Sequence, residues 1–192
     1  MPVMSQGFDF VSTLGFNIRR RWRQTRMTNL QILLMEGAYL IFFCGVIYLT
    51  RSSTMRVIGS LSGGAAAGAF AIFMIAAAGE AGWWSIPSGS ISYFWVQLFL
   101  GITVSMAPTF LILWRVVRRF GRRGIAVFLI AVAIIGPPRD YLIARSFPEW
   151  MVFSPGVVPV FADAMTYVGM VAVGYAVMRL VAGPDDKDIL TR

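Results

Sequence analysis

The sequence predicts an all-α fold: a polytopic membrane helix bundle of about five transmembrane helices, with the fourth helix broken at Pro137-Pro138. Three observations lead there. Of the 192 residues, 57% are hydrophobic and 14% charged, against about 45–50% and 25% in soluble domains. A core of this size cannot absorb the excess, so lipid must. Five apolar stretches each come close to the ~20 residues a spanning helix needs. The basic residues gather between those stretches, as they do beside a cytoplasmic membrane face.

Residues 1–29 read as a basic interfacial tail. Five Arg surround Trp22 between Ile18 and Arg26, a composition suited to headgroups. The order of a signal peptide, a charged start before a short apolar core and a cleavage site, is missing. Residues 30–182 form the transmembrane domain. Its stretches run Leu30 to Thr50, Val57 to Gly79, Ile91 to Trp114, Gly124 to about Ser146, and Gly156 to about Val181. Residues 183–192 make a short charged C-terminal tail.

In the second stretch, Ser60, Gly64 and Gly68 recur at four-residue spacing. Small residues so spaced let helix backbones approach closely. They serve packing within the bundle, or a homo- or hetero-oligomer through the Gly64/Gly68 face. The fourth stretch meets Gly136-Pro137-Pro138 partway along. Two backbone donors are missing there, and Pro138 biases its predecessor away from helix. Only about 20 Å of helix precedes this point, so a break would fall at membrane depth, where irregular backbone must line protein or a wet cavity.

Charge orients the chain. Arg115, Arg118, Arg119, Arg122 and Arg123 separate the third and fourth stretches, whereas 80–90 has no basic residue and carries Trp83 and Trp84. These place the C-terminus in the cytoplasm and the chain in a cell inner membrane. The Arg-rich N-terminal tail then lies on the far side, against the same rule. Sixteen Arg and one Lys give a net charge of +8, which in this setting points to membrane lipids as partners and not to nucleic acid.

Absences narrow the chemistry. There is no His, which removes the usual general base and the commonest metal and haem ligand. Cys44 stands alone in an apolar run, as a packing residue does. No G-x-S-x-G elbow occurs. No spacing matches a metal motif and no cofactor is implied, although clustered carboxylates can hold Mg²⁺ with a phosphate ligand. Catalysis would rest on carboxylates, Tyr or Arg.

Three acids lie inside the apolar stretches: Glu36, Asp140 and Asp163. Ionisable groups at membrane depth are costly and tend to serve a purpose. With five crossings, all three fall in one layer, each about 9 Å below the same bilayer face. They are the candidate catalytic residues. Arg139 is the counter-charge, Tyr39 and Tyr167 each lie one turn from an acid, and Glu149 and Trp150 belong to a Pro-rich aromatic loop that would cap the layer. These five are candidate substrate-binding residues.

Two functions fit. One is a site that binds an apolar lipid or isoprenoid small molecule, or acts on it by acid–base chemistry, with a protonated carboxyl as the acid. The other is a non-catalytic accessory subunit of a larger membrane complex, in which Arg139 and Asp140 merely tie helices together. A proton or ion path is a third use of the same acids, and a small transporter is disfavoured by the lack of a visible repeat.

Overall fold

The computed structural model describes residues 29–87, 93–148 and 150–184. The two tails (residues 1–28 and 185–192) and Glu149 lie outside the described residues. Among the described residues the fold is helical, with four helices: α1 (Asn29–Thr50), α2 (Thr54–Glu80), α3 (Phe94–Ser146) and α4 (Val157–Ala182). Two short strands, β1 (Trp84–Ser85) and β2 (Val152–Phe153), pair antiparallel. Three helices, α2, α3 and α4, are long and apolar enough to cross a membrane.

The expected third and fourth stretches are joined in α3, a 53-residue element interrupted at Gly121. A straight rod of that length would span about 80 Å. Instead the chain folds back on itself. A Cβ built on Gly124 would meet the Val116 carbonyl oxygen at 3.0 Å, although a straight helix would separate these residues by about 12 Å. The reversal uses one residue: Gly121 has φ 59° and ψ −142°, a conformation open essentially to glycine alone. The expected loop over 115–123 is therefore mostly helix.

The expected break at Pro137-Pro138 is not found. Both prolines lie within the helical run, and the only non-helical backbone in α3 is at Gly121. The N–H groups that Pro137 and Pro138 lack are still lost. Proline's fixed φ is itself helical, although Pro138 still disfavours a helical ψ at Pro137. Gly136 presents no side chain, and the Tyr167 ring of α4 lies where its Cβ would stand. Packing against a neighbouring helix is what makes proline tolerable in such a position.

α2 packs on both α3 and α4, which also meet each other, while α1 lies against α3. The glycines set these distances. A Cβ on Gly63 would strike the Gly174 carbonyl, and one on Gly174 would strike the Phe110 ring and the Gly63 carbonyl. Gly64 abuts the Thr103 carbonyl and Gly68 the Phe99 ring. The Gly64/Gly68 face is thus filled by α3 of the same chain, and the close approach it permits is used within the bundle. The core gathers Ala67, Ala71, Phe110, Leu111, Trp114, Met170, Val171 and Met178.

Outside the core the surface stays apolar. Ile41, Tyr48, Phe73, Val127, Ile134, Ile135, Phe161 and Leu180 are all exposed. In α4, Leu180 is 84% exposed while Met178 is fully buried, so the helix is apolar on its outer side as well as its inner one.

Candidate functional site

The strand pair places the site. It joins the connection after α2 to the one before α4, with Trp84 opposite Phe153 and Ser85 opposite Val152. Ser154 Oγ donates to the Gly82 carbonyl at 2.6 Å, and Ser154 N–H to the Trp83 carbonyl at 2.9 Å. Trp84 is buried against Ala78 and Ala162, and its Nε1–H donates to the Ile75 carbonyl at 3.1 Å. The aromatic residues thus fasten two loops across one end of the bundle, where α2 and α3 end and α4 begins.

Beneath that closure lie the acids. Asp140, near the end of α3, has both carboxylate oxygens engaged. Its Oδ1 accepts from Arg139, with Nε and Nη2 each at 3.0 Å. Its Oδ2 accepts from the Tyr167 hydroxyl of α4 at 2.8 Å. The Arg139 guanidinium also stands 5.4 Å from the Tyr167 ring centre, within the range of a cation–π contact. One carboxylate, one guanidinium and one phenol therefore form a closed set between α3 and α4. Gly136 seats the ring that completes it.

Asp163 differs. It sits on α4 one turn before Tyr167 and is buried, with Oδ2 lacking a hydrogen-bond partner among the described residues. It lies within electrostatic reach of Asp140 and Arg139. The hydroxyl of Tyr141 is likewise buried without a partner, and the Asp163 charge acts on it. The Tyr141 ring stacks on Phe153 of β2, centroids 4.1 Å apart and planes 14° apart. The loop closure thereby fixes the Tyr141 ring at this end of the bundle. Buried polar atoms normally find partners, so two orphans at one end of a bundle call for explanation.

Of the residues singled out from sequence, Asp140, Asp163, Arg139 and Tyr167 come together. Tyr39 of α1 is near enough to interact with Arg139. No hydrogen bond or ion pair among the described residues joins Glu36 to the cluster. Trp150 lies in the loop before β2, its ring 6.2 Å from that of Phe147. Tyr141 is not singled out by the sequence. Tyr141 directly follows Asp140, but its role depends on β2, a strand too short to leave an alternating pattern.

The opposite end carries the basic residues. Arg56 of α2 is 1% exposed and donates to the Gly183 carbonyl at 2.9 Å and the Pro184 carbonyl at 2.6 Å. It caps the last turn of α4, where orphan carbonyls need donors. Arg56, Arg115 and Arg118 surround Trp114 at 5.0, 5.2 and 5.9 Å. Arg115 also bonds the Thr50 carbonyl, fixing the end of α1. About 30 Å of α4 separates Asp163 from this cap.

Comparison with protein-family models, with curated proteins and with solved structures finds no match to this chain.

Proposed function

We propose that the chain is an integral membrane protein crossing the bilayer five times, with an intramembrane carboxylate site that binds an apolar lipid or isoprenoid and acts on it by acid–base chemistry. The crossings are α1, α2, the two arms of α3 and α4. An outer surface as apolar as the core supports lipid as the solvent. At 26 residues, α4 runs about 39 Å, long enough to cross the ~30 Å hydrocarbon core with Asp163 below its surface. The basic turn at Arg118–Arg123 then faces the cytoplasm with the C-terminus, as in a cell inner membrane.

One observation carries the site: the buried, unpartnered Asp163 Oδ2 stands beside a closed Arg139–Asp140–Tyr167 set. In this reading Asp140 is the carboxylate occupied by Arg139 and Tyr167, and Asp163 is the group free to exchange a proton with a ligand. Paired acids set to different states by their surroundings are a recurring acid–base arrangement. Tyr167 positions Asp140, and Tyr39 adds a second phenol near Arg139.

The test uses Asp163→Asn, which keeps the shape and removes the acid. The variant should assemble in the membrane at wild-type level and lose conversion of lipids when purified protein is incubated with a total lipid extract and analysed by mass spectrometry. Conversion at the wild-type rate would refute the reading.

The accessory-subunit reading draws on the closed Arg139–Asp140–Tyr167 set, which needs nothing beyond the chain. It gives no use to the orphan atoms of Asp163 and Tyr141.

A further inference from the structure

We infer that the basic end of the bundle is a docking surface for anionic phospholipid headgroups, carried by the exposed guanidiniums of Arg51, Arg119, Arg122 and Arg123. The inference rests on the proposed membrane reading and is independent of the acid site at the other end.

Contacts already described put these residues at one level. Arg56, near the start of α2, bonds the carbonyls that follow α4. Arg115 of α3 bonds the carbonyl of Thr50, the last residue of α1. The end of α1, the start of α2, the reversal of α3 and the end of α4 therefore share one end of the bundle. Arg56 and Arg115 are used on those carbonyls. Arg51, which follows Thr50, is exposed, and so are Arg119, Arg122 and Arg123 around Gly121. The reversal stands clear of the other elements, since a Cβ built on Gly121 would meet nothing within 4 Å.

Charge selects the partner. Among the described residues the carboxylates are Glu36, Glu80, Asp140 and Asp163. Glu80 closes α2 at the opposite end, with Asp140 and Asp163, and about 21 Å of helix separates Glu36 from Thr50. The four exposed Arg thus have no carboxylate partner among the described residues. Guanidinium binds phosphate well. A headgroup layer is a plane, so the four need not converge on one point; sharing its level is enough.

Apolar neighbours decide between lipid and a soluble polyanion. Phe120 is 57% exposed, with the Arg119 guanidinium 5.3 Å from its ring centre. Tyr48 and Leu49, within one turn of Arg51, are 81% and 79% exposed and line one groove with Ile47 and Arg51. Nucleic acid or an acidic protein segment would take the charges and leave these side chains in water. The headgroup boundary takes both, phosphate on the guanidinium and acyl chain on the apolar side chain. Arg51 carries a further mark. Its φ of 47° is the left-handed conformation that glycine usually supplies where a helix ends, and strain of this kind gathers at functional positions.

The experiment reconstitutes the full chain in phosphatidylcholine vesicles. Electron paramagnetic resonance then measures the motionally restricted fraction of spin-labelled phosphatidylglycerol and of spin-labelled phosphatidylcholine. Phosphatidylglycerol should associate about threefold more strongly, and the preference should shrink at high salt. Arg51→Gln, Arg119→Gln, Arg122→Gln and Arg123→Gln combined should abolish it. Arg122→Gln and Arg123→Gln alone should each remove part of it, a readout that stands even if the combined variant assembles poorly. Arg145→Gln, which removes an exposed cation at the acidic end, should leave it unchanged, and inorganic phosphate at constant ionic strength should not compete. Equal association of the two lipids, the result expected if the basic end serves an acidic protein, would overturn the inference. So would a preference that ignores salt, survives in all the basic-end variants or is lost in Arg145→Gln. Displacement by inorganic phosphate would overturn it too, marking a site for the free anion. A restricted fraction for neither lipid would remove the membrane reading itself, whereas equal fractions for both remove this inference alone.

Discussion

The two ends of the bundle hold their charges in opposite ways. At the basic end, the buried Arg56 spends its guanidinium on the carbonyls that terminate α4 and lies over Trp114. At the acidic end, Asp140 is fully engaged, but Asp163 and Tyr141 keep buried atoms without partners; at the basic end the one such atom is the neutral Trp114 Nε1, among the described residues. A satisfied charge on a helix end stabilises the fold. An unsatisfied one costs free energy. The comparison separates charge satisfied within the fold from charge that is not.

The largest effect should come from the architectural end. Arg56→Ala leaves two carbonyls at the end of α4 without their charged donor and removes the contact with Trp114. A loss of about 3 kcal/mol is expected, read as a fall in the midpoint of thermal unfolding in detergent and in the yield of folded protein. A wild-type midpoint would show that Arg56 does not hold the end of α4.

Gly136→Ala should come next. Its Cβ would stand within the Tyr167 ring, so the ring must move and its bond to Asp140 must lengthen. About 2 kcal/mol of destabilisation is expected from such overpacking. Tyr167→Phe isolates the bond alone and should cost about 1 kcal/mol. If Gly136→Ala proves no more harmful than Tyr167→Phe in the same unfolding assay, α3 and α4 are less closely fitted there than the structure indicates.

Gly121→Ala tests the reversal that divides α3. A side chain at φ 59° is strained, and about 1–2 kcal/mol should be lost. Topology sharpens the same point without any change in stability. In a Cys44→Ser background, Ser85→Cys and Arg122→Cys should react with a membrane-impermeant thiol reagent from opposite sides, the latter from the cytoplasm. Reaction of both from one side would remove the five-crossing arrangement.

Much of the helical framework was legible because outward-facing and core-facing residues are both apolar, so each helix announces itself by length. The convergence of Asp140 and Asp163 could be read from their positions along the stretches, since antiparallel helices bring the end of one beside the start of the next. Arg139 and Tyr167 followed by spacing. What sequence could not give were features made by tertiary contact. The reversal at Gly121 consumes a single residue, where a nine-residue basic segment reads as a loop. Pro137-Pro138 stays helical because Gly136 admits the Tyr167 ring, a neighbour distant in sequence. Tyr141 acquires its place only when β1 and β2 pair. Arg56 reads as one more cytoplasmic cation, and nothing local shows that it reaches the far end of α4.

The central claim is that Asp163 serves a ligand and not the fold, and one paired measurement tests it most directly. Wild type and Asp163→Asn are compared for the unfolding midpoint in detergent and for conversion of a total lipid extract by the same preparations. The account predicts midpoints that agree within the effect of about 1 kcal/mol, together with loss of conversion in the variant. A lower midpoint with a reduced yield of folded protein, or conversion that persists, would contradict it.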